Sequence, residues 1–410
     1  MSSAVEASVR RYGETEPRLH AFVQFDAENS LLMEAALIAT QATGPLVRMP
    51  IGVKDIFDTA GAPTERGSAL YAGRIAESDA EVVRNLRAAG AIIVGKTVTA
   101  ELAFYHPGPT RNPWGLSHTP GGSSMGSAAA VAAGVVPMAV GSQTNGSVIR
   151  PAAFCGVVGF KPTSGRLPRG GMFEFSRTLD HVGGFARSVR DVAVLAAAMA
   201  GEEFARWWSD DGAPPRLAAL RTSEWSKADD AARERFQADV DRLALAGGPI
   251  EWPAPPAGLD DAPAVLRTIM LFEAARTLAA DIQGREDLVS ETARRALGEG
   301  AAISADTYDA AMRERERLIG AFAAWSANYD AILTPPALGE APTTETTGDP
   351  RFCSRWSLIG APAIVIPSGL GPNRLPLGLQ LVGAPDDDRR LIGAAAWCEA
   401  TLPSIGTPPL

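Results

Sequence analysis

Apolar residues recur through the first 44 positions, at Phe22, Leu31, Leu32, Ala35, Leu37 and Ile38, and their spacing predicts helix there. Pro50 to Ile56 follows as a short strand-like run, with the charged pair Lys54 and Asp55 near its end. Ser78-Asp-Ala-Glu81 has the spacing of a capping box, in which a serine and a carboxylate three residues on satisfy each other's backbone N–H groups. It predicts a helix through Ala89, stopped by Gly90, and Ala91 to Gly95 then reads as a buried strand. The same box recurs at Ser188-Val-Arg-Asp191 and opens an Ala/Leu-rich helix to Ala200. Helix alternating with buried strand predicts an α/β layer architecture.

The pattern then changes. Residues 202–215 are polar, carry Trp207, Trp208 and Pro214-Pro215, and read as a linker or lobe boundary. Long helices are predicted over 228–246, 262–283 and 305–328, and a loop rich in Pro, Thr, Gly and Glu over 334–350. Strand character returns at Ala363 to Pro367 and Leu377 to Val382, and a last helix runs from about Asp387 to Thr401. No internal repeat is visible.

Composition narrows the function classes. The 410 residues carry 38 basic and 47 acidic side chains, a net charge of −9, without a dense Lys/Arg run, which argues against a nucleic-acid binder. Only four of the basic residues are lysines (54, 96, 161 and 227), so a role needing a deprotonatable amine has few candidates. Cys155, Cys353 and Cys398 lie far apart and suit a reducing compartment, and four scattered histidines form no zinc motif. The N-terminus lacks the apolar core of a signal peptide. The longest apolar run, Ala128 to Val140, is far short of the roughly 20 residues a bilayer requires. A cytoplasmic protein without membrane contact is expected.

The chemistry is concentrated in Pro120 to Pro162, PGGSSMGSAAAVAAGVVPMAVGSQTNGSVIRPAAFCGVVGFKP, where two Gly/Ser-rich turns flank a small-residue segment. A phosphate-cradling loop would need GxxxxGK[ST] or GxGxxG, and neither is present. Gly122-Ser-Ser124-Met-Gly126 matches a nucleophile elbow, but that triad needs an acid and then a histidine later in the chain, and the only later histidine is His181. Tight helix–sheet packing without chemistry is the plain alternative. Three residues in combination go further: Lys54 in GVKD, Ser123 in PGGSSMGS and Ser147 in QTNGSVIRP. A serine hydroxyl needs an adjacent base to act as a nucleophile, and a lysine can be that base once burial has depressed its pKa. Taken singly, Lys54 reads as a surface or ion-paired lysine beside Asp55 and Asp58, and Ser147 as a helix cap.

In order and context these segments resemble the amidase signature family of amide hydrolases, and Gly360-Ala-Pro-Ala-Ile-Val-Ile-Pro367 and Leu377-Gly-Leu-Gln-Leu-Val-Gly383 resemble that family's closing strands. The resemblance is strong over 45–200 and 355–400. It implies one large α/β/α domain over 1–410, a mixed central sheet wrapped by helices, with a helical insertion at about 202–350. It implies that Ser147 is the nucleophile, Ser123 the proton relay and Lys54 the base, with a cis peptide between Gly122 and Ser123. The oxyanion hole would be the backbone N–H groups of Thr144, Asn145, Gly146 and Ser147. Gly122 and Ser124 would adjoin the substrate and the lysine network, Ser124 reading equally well as a helix cap. The implied partner is a small-molecule amide, with no cofactor, metal, nucleic acid or membrane, and family members are often homodimers. Tyr105, Trp114, Met172 and Phe173 are candidate pocket-lid residues that read as well as core.

One departure bears on substrate. Most family members resemble T-D-T-G-G-S-I-R around the nucleophile, whereas here Gln143 replaces the Asp and Arg150 stands three residues after Ser147 instead of two. Met125 and Asn145 also replace smaller residues. The arginine spacing is similar to that of malonamidases within the family, which implies that Arg150 holds the carboxylate of a short half-amide such as malonamate. A structural ion pair of Arg150 with Asp180 or Glu174 is the alternative, and would leave a general aliphatic or aryl amidase. A glutaminase-type component that feeds ammonia to a partner acting on aminoacyl-tRNA is a third reading.

Overall fold

The computed structural model describes residues 2–209 and 212–410. The N-terminal half runs α1 (Ala4–Leu19), β1 (Phe22–Phe25), α2 (Ala27–Ala39), β2 (Pro50–Lys54), α3 (Glu81–Ala88) and β3 (Ile92–Thr97). It continues with α4 (Met125–Ala132), β4 (Met138–Gln143), α5 (Ile149–Cys155), β5 (Val158–Lys161), β6 (His181–Ala186) and α6 (Val189–Ala200). A largely helical stretch follows: β7 (Leu217–Ala219), α7 (Asp230–Gly247), α8 (Ala262–Ile282), α9 (Glu291–Ala302), α10 (Ala305–Ser326) and β8 (Ala331–Thr334). The chain closes with α11 (Arg351–Leu358), β9 (Ala363–Leu370), β10 (Pro376–Val382) and α12 (Asp388–Thr401). The ten strands form one mixed sheet in the order β1-β3-β2-β4-β6-β5-β9-β10-β8-β7. The β3–β2, β2–β4 and β8–β7 pairs are parallel and the others antiparallel. This is the expected α/β class with a mixed central sheet.

The three long helices predicted in the second half form within two residues of their expected starts and ends. Residues 335–350 are free of helix and strand, as expected. Helix α9 went unpredicted, because its Gly298 and Gly300 interrupt the helical pattern.

Three local expectations are corrected. The N-terminal helix is two helices split by β1, because Phe22 to Phe25 pairs antiparallel with Thr97, Lys96 and Gly95. The Glu16 carboxylate marks the break by accepting the N–H groups of Ala21 (3.1 Å) and Phe22 (2.9 Å). On α2 the apolar Leu31, Leu32 and Ile38 face solvent while Glu34 is buried, drawn in by the Ser3 hydroxyl at 2.7 Å. Ser78 does not cap α3, whose N-cap is Ala80 without a side-chain bond; the neighbouring Asp79 instead takes Ala60 N–H at 2.8 Å and pairs with Arg87. The second box holds in part, since Ser188 accepts from Asp191 N–H, while Glu399 takes the N–H of Val189.

In the polar stretch 202–215, positions 210 and 211 lie outside the described residues, and Trp207 is 0% exposed. Its indole N–H donates to Glu202 at 2.9 Å, Arg166 lies over its ring, and its edge meets Phe160 of β5. Trp207→Ala should destabilise the fold by about 3–5 kcal/mol, because it leaves a cavity the surroundings close only in part. Chemical denaturation should read this as a lower midpoint at unchanged slope.

The small-residue segment is α4, buried at every position and laid against β2, β3 and β4. Ser127 donates to the carbonyl of Val140 at 2.9 Å, and a side chain at Gly141 would come within 2.9 Å of Ser124 Oγ. Tight packing is therefore real here, and it is also what holds the chemistry in place.

Candidate active site

β2 and β4 are parallel neighbours, so their C-terminal ends, Lys54 and Gln143, lie at one edge of the sheet. Open α/β sheets offer their ligand sites beyond such strand ends. The turn into α4 brings Ser123 and Ser124 to the same edge. Lys54 is fully buried, and its Nζ donates to Ser123 Oγ and to Ser142 Oγ, each at 2.8 Å. Burial pushes its pKa down to about 7, against the opposing pull of the Asp180 charge. The ion-pair reading of Lys54 is corrected: Asp55 pairs with Lys96 at 3.1 Å, and Asp58 with Arg74 at 2.7 Å. The peptide between Gly122 and Ser123 is cis.

Ser124 stands at the N-cap position of α4 but makes no capping bond. Its hydroxyl accepts the N–H of Ser142 at 3.2 Å and donates to the Ser142 carbonyl at 3.1 Å. Ser124 thus fixes Ser142, and Ser142 fixes the lysine.

The turn 144–147 is gripped from every side. The Gln143 amide oxygen accepts Val148 and Ile149 N–H at 2.9 and 3.0 Å and so caps α5, while its nitrogen donates to Ser357 at 3.0 Å. Ser357 in turn donates to the Asn145 carbonyl. The Asn145 side chain donates to Tyr105 at 3.1 Å and accepts from Ser354 at 2.7 Å. Thr144 donates to Asp180, whose other oxygen takes the N–H groups of Phe175 (2.6 Å) and Ser176 (3.0 Å). Burial lifts the Asp180 carboxyl to about 6 against these bonds. The backbone N–H groups of Thr144, Asn145, Gly146 and Ser147 meet no acceptor among the described residues. Rigid, uncommitted donors suit a developing negative charge, because they need no reorganisation when it forms. Ser147 is 7% exposed, two residues before α5 begins.

Arg150 is 1% exposed, and its Nη2 donates to the Gly122 carbonyl at 2.6 Å, on the cis peptide itself. It also lies 3.5 Å from Thr347 Oγ1, while Nε and Nη1 have no hydrogen-bond partner among the described residues. Neither expected ion pair forms, since Asp180 is engaged as above and Glu174 pairs with Arg169 and Arg177. A Cβ at Gly146 would lie 3.2 Å from Arg150 Nη1 and 3.1 Å from Pro350, so any larger residue would press on both.

Of the lid candidates, Tyr105 touches the 144–147 turn through Asn145. Met172 and Phe173 line a cavity, and Trp114 points away from the site, donating to the Cys155 carbonyl at 2.9 Å. Sequence reasoning missed Ser142, Asp180, Ser354 and Ser357. Ser142 lies inside the motif and could have been found there. The other three come from separate segments with no local pattern to flag them.

The amidase family profile matches residues 3–392. A glutamyl-tRNA(Gln) amidotransferase subunit of Acidothermus cellulolyticus (strain ATCC 43068 / DSM 8971 / 11B) is 34% identical over 96% of this chain and 90% of that protein. A crystal structure of an amidase superposes with a TM-score of 0.89 at 30% identity, covering 98% of this chain and 97% of the other. The structure of 6-aminohexanoate cyclic dimer hydrolase gives 0.88 at 27% identity, covering 99% and 94%. With the fold, the cis peptide and the serine–lysine contact in hand, the chain belongs to the amidase family and is an amide-hydrolysing enzyme of the amidase signature kind.

Proposed function

We propose that Ser147, Ser123 and Lys54 carry out amide hydrolysis through an acyl-enzyme. The observation that carries this reading is the buried contact of Lys54 with Ser123, next to a turn of uncommitted N–H donors. Ser147 Oγ bonds to the amide carbon, and its proton passes through the Ser123 hydroxyl to the neutral Lys54 amine. The carbonyl oxygen takes up the negative charge facing the N–H groups of 144–147. On collapse the C–N bond breaks, and the relay returns the proton to the nitrogen, which leaves as ammonia when the amide is primary. Water then attacks the acyl carbon, giving its proton to the same relay, and the carboxylate departs with Ser147 restored.

For the substrate, the reading with most support is a glutaminase-type role, in which ammonia is released from a primary amide for use by a partner protein. The glutamyl-tRNA(Gln) amidotransferase relatives support it, at 34% identity and over nearly the full length of both chains. The half-amide reading, with Arg150 as carboxylate anchor, has one observation in its favour, the free Nε and Nη1. Against it stand the depth of Arg150 and its bond to the Gly122 carbonyl.

Ammonia release from glutamine, malonamate and a neutral aliphatic amide separates these readings. Turnover of glutamine, raised by a co-purifying protein, is the expected result. A preference for malonamate that Arg150→Lys removes would install the half-amide reading, and preference for the neutral amide a general amidase.

A further inference from the structure

A cavity of about 640 Å³ lies between α8, α10 and the segment 172–177. That volume falls within the roughly 300–1,000 Å³ typical of small-molecule sites. Its wall is joined to the 144–147 turn. Glu273 of α8 accepts from the hydroxyls of Ser176 and Thr178, the Ser176 N–H donates to Asp180, and Asp180 holds Thr144.

Charges of both signs line the cavity, and each carboxylate already has hydrogen-bond or ion-pair partners. Glu273 is taken by Ser176, Thr178 and the Tyr308 hydroxyl, Asp281 by the Tyr71 hydroxyl, and Glu174 by Arg169 and Arg177. Two of the arginines have no carboxylate partner among the described residues. The Arg66 guanidinium carbon lies over the rings of Tyr71 and Phe173, at 4.1 and 4.5 Å from their centroids, and its Nε has no hydrogen-bond partner among the described residues. Arg276 sits over Phe272 at 3.2 Å and spends Nη1 on the Phe272 carbonyl at 3.0 Å. Neither forms an ion pair within 4.0 Å among the described residues. A guanidinium stacked on an aromatic ring keeps its N–H edge free and oriented, which is the arrangement that receives a carboxylate. Phe173, Phe272 and Tyr308 supply apolar wall beside these edges.

We infer that this cavity binds a small carboxylate with an apolar or aromatic body, held by Arg66 and Arg276. Its bearing on the proposed amide hydrolysis rests on that reading and runs through the Ser176, Asp180 and Thr144 bonds to the catalytic turn. Binding there does not itself require the reaction.

The test is calorimetric titration of the full-length protein with 3-phenylpropanoate, beside the neutral 3-phenylpropanol. The carboxylate should bind at least tenfold more tightly than the alcohol. Arg276→Ala, an exposed change on α8, should remove most of that preference while leaving hydrolysis of a small neutral amide unchanged. Arg66→Lys keeps the charge but loses the planar two-pronged donor, and should weaken carboxylate binding alone. Equal binding of acid and alcohol, or a preference that survives both variants, would overturn the site. Carboxylate binding without ammonia release from any amide would leave the site standing and sink the proposed reaction instead.

Discussion

Replacing Ser147 by alanine should lower ammonia release by about 10⁴-fold or more, with fold and substrate binding intact. An acyl-enzyme route disappears with its nucleophile, and only the rate due to binding and the oxyanion donors remains. The change costs little structurally, because the cap of α5 is supplied by Gln143. Removing the Ser147 hydroxyl thus leaves the four backbone donors where they are. A fluorophosphonate probe should label the wild type at Ser147 and spare the variant, and intact-protein mass spectrometry reads both. Retention of more than a tenth of the activity would mean that another group attacks the amide, and the assignment would fail. Ser123→Ala provides a contrast: the nucleophile remains but its proton path to Lys54 is cut, so residual labelling should be slow instead of absent.

The same residues show which parts of the site a sequence can disclose. Lys54, Ser123 and Ser147 stand out because each lies in a short, distinctive segment, and the structure joins Lys54 directly to Ser123. The cis peptide was legible only through the family resemblance, and the α/β class through the alternation of helix with buried strand. Arg150 was legible as unusual but not as to its partner, since its contact with Gly122 depends on how α5 packs against the turn before α4. Asp180, Ser354 and Ser357 carried no local signal; they meet the 144–147 turn only once β6 and α11 have packed around it. Strand β1 was missed because four residues with apolar ends fit a helical pattern as well as a strand, and only pairing with β3 decides between them. The arginine–aromatic stack of Arg66 on Phe173 joins residues more than a hundred positions apart in the chain, and no reading along the sequence brings them together.

Replacing Lys54 by methionine should lower kcat by about 10²–10⁴-fold, the range associated with losing a general base. Methionine fills similar space but leaves the Ser123 and Ser142 hydroxyls without their lysine donor, so the variant should fold with a loss of about 1–3 kcal/mol. With the lysine present, the reacting form is the neutral amine. Its pKa near 7 means that kcat/KM should rise about tenfold per pH unit below that value and level off above it. The methionine variant should show a weak residual rate without this limb. Asp180 tests the sign of the effect. Its negative charge favours the protonated lysine and so holds the lysine pKa up, against burial, which pulls it down. Asp180→Asn removes that charge, keeps an oxygen for the Phe175 and Ser176 N–H groups and turns its amide N–H to the Thr144 hydroxyl, which can accept, so the limb should move to lower pH. Asp180 itself titrates near 6, which gives the experiment a second discriminating outcome. If the wild-type limb reported the carboxylate instead of the amine, the asparagine variant would be flat across that range. A limb that shifts but persists identifies Lys54 as the base, whereas one that neither shifts nor disappears excludes both groups.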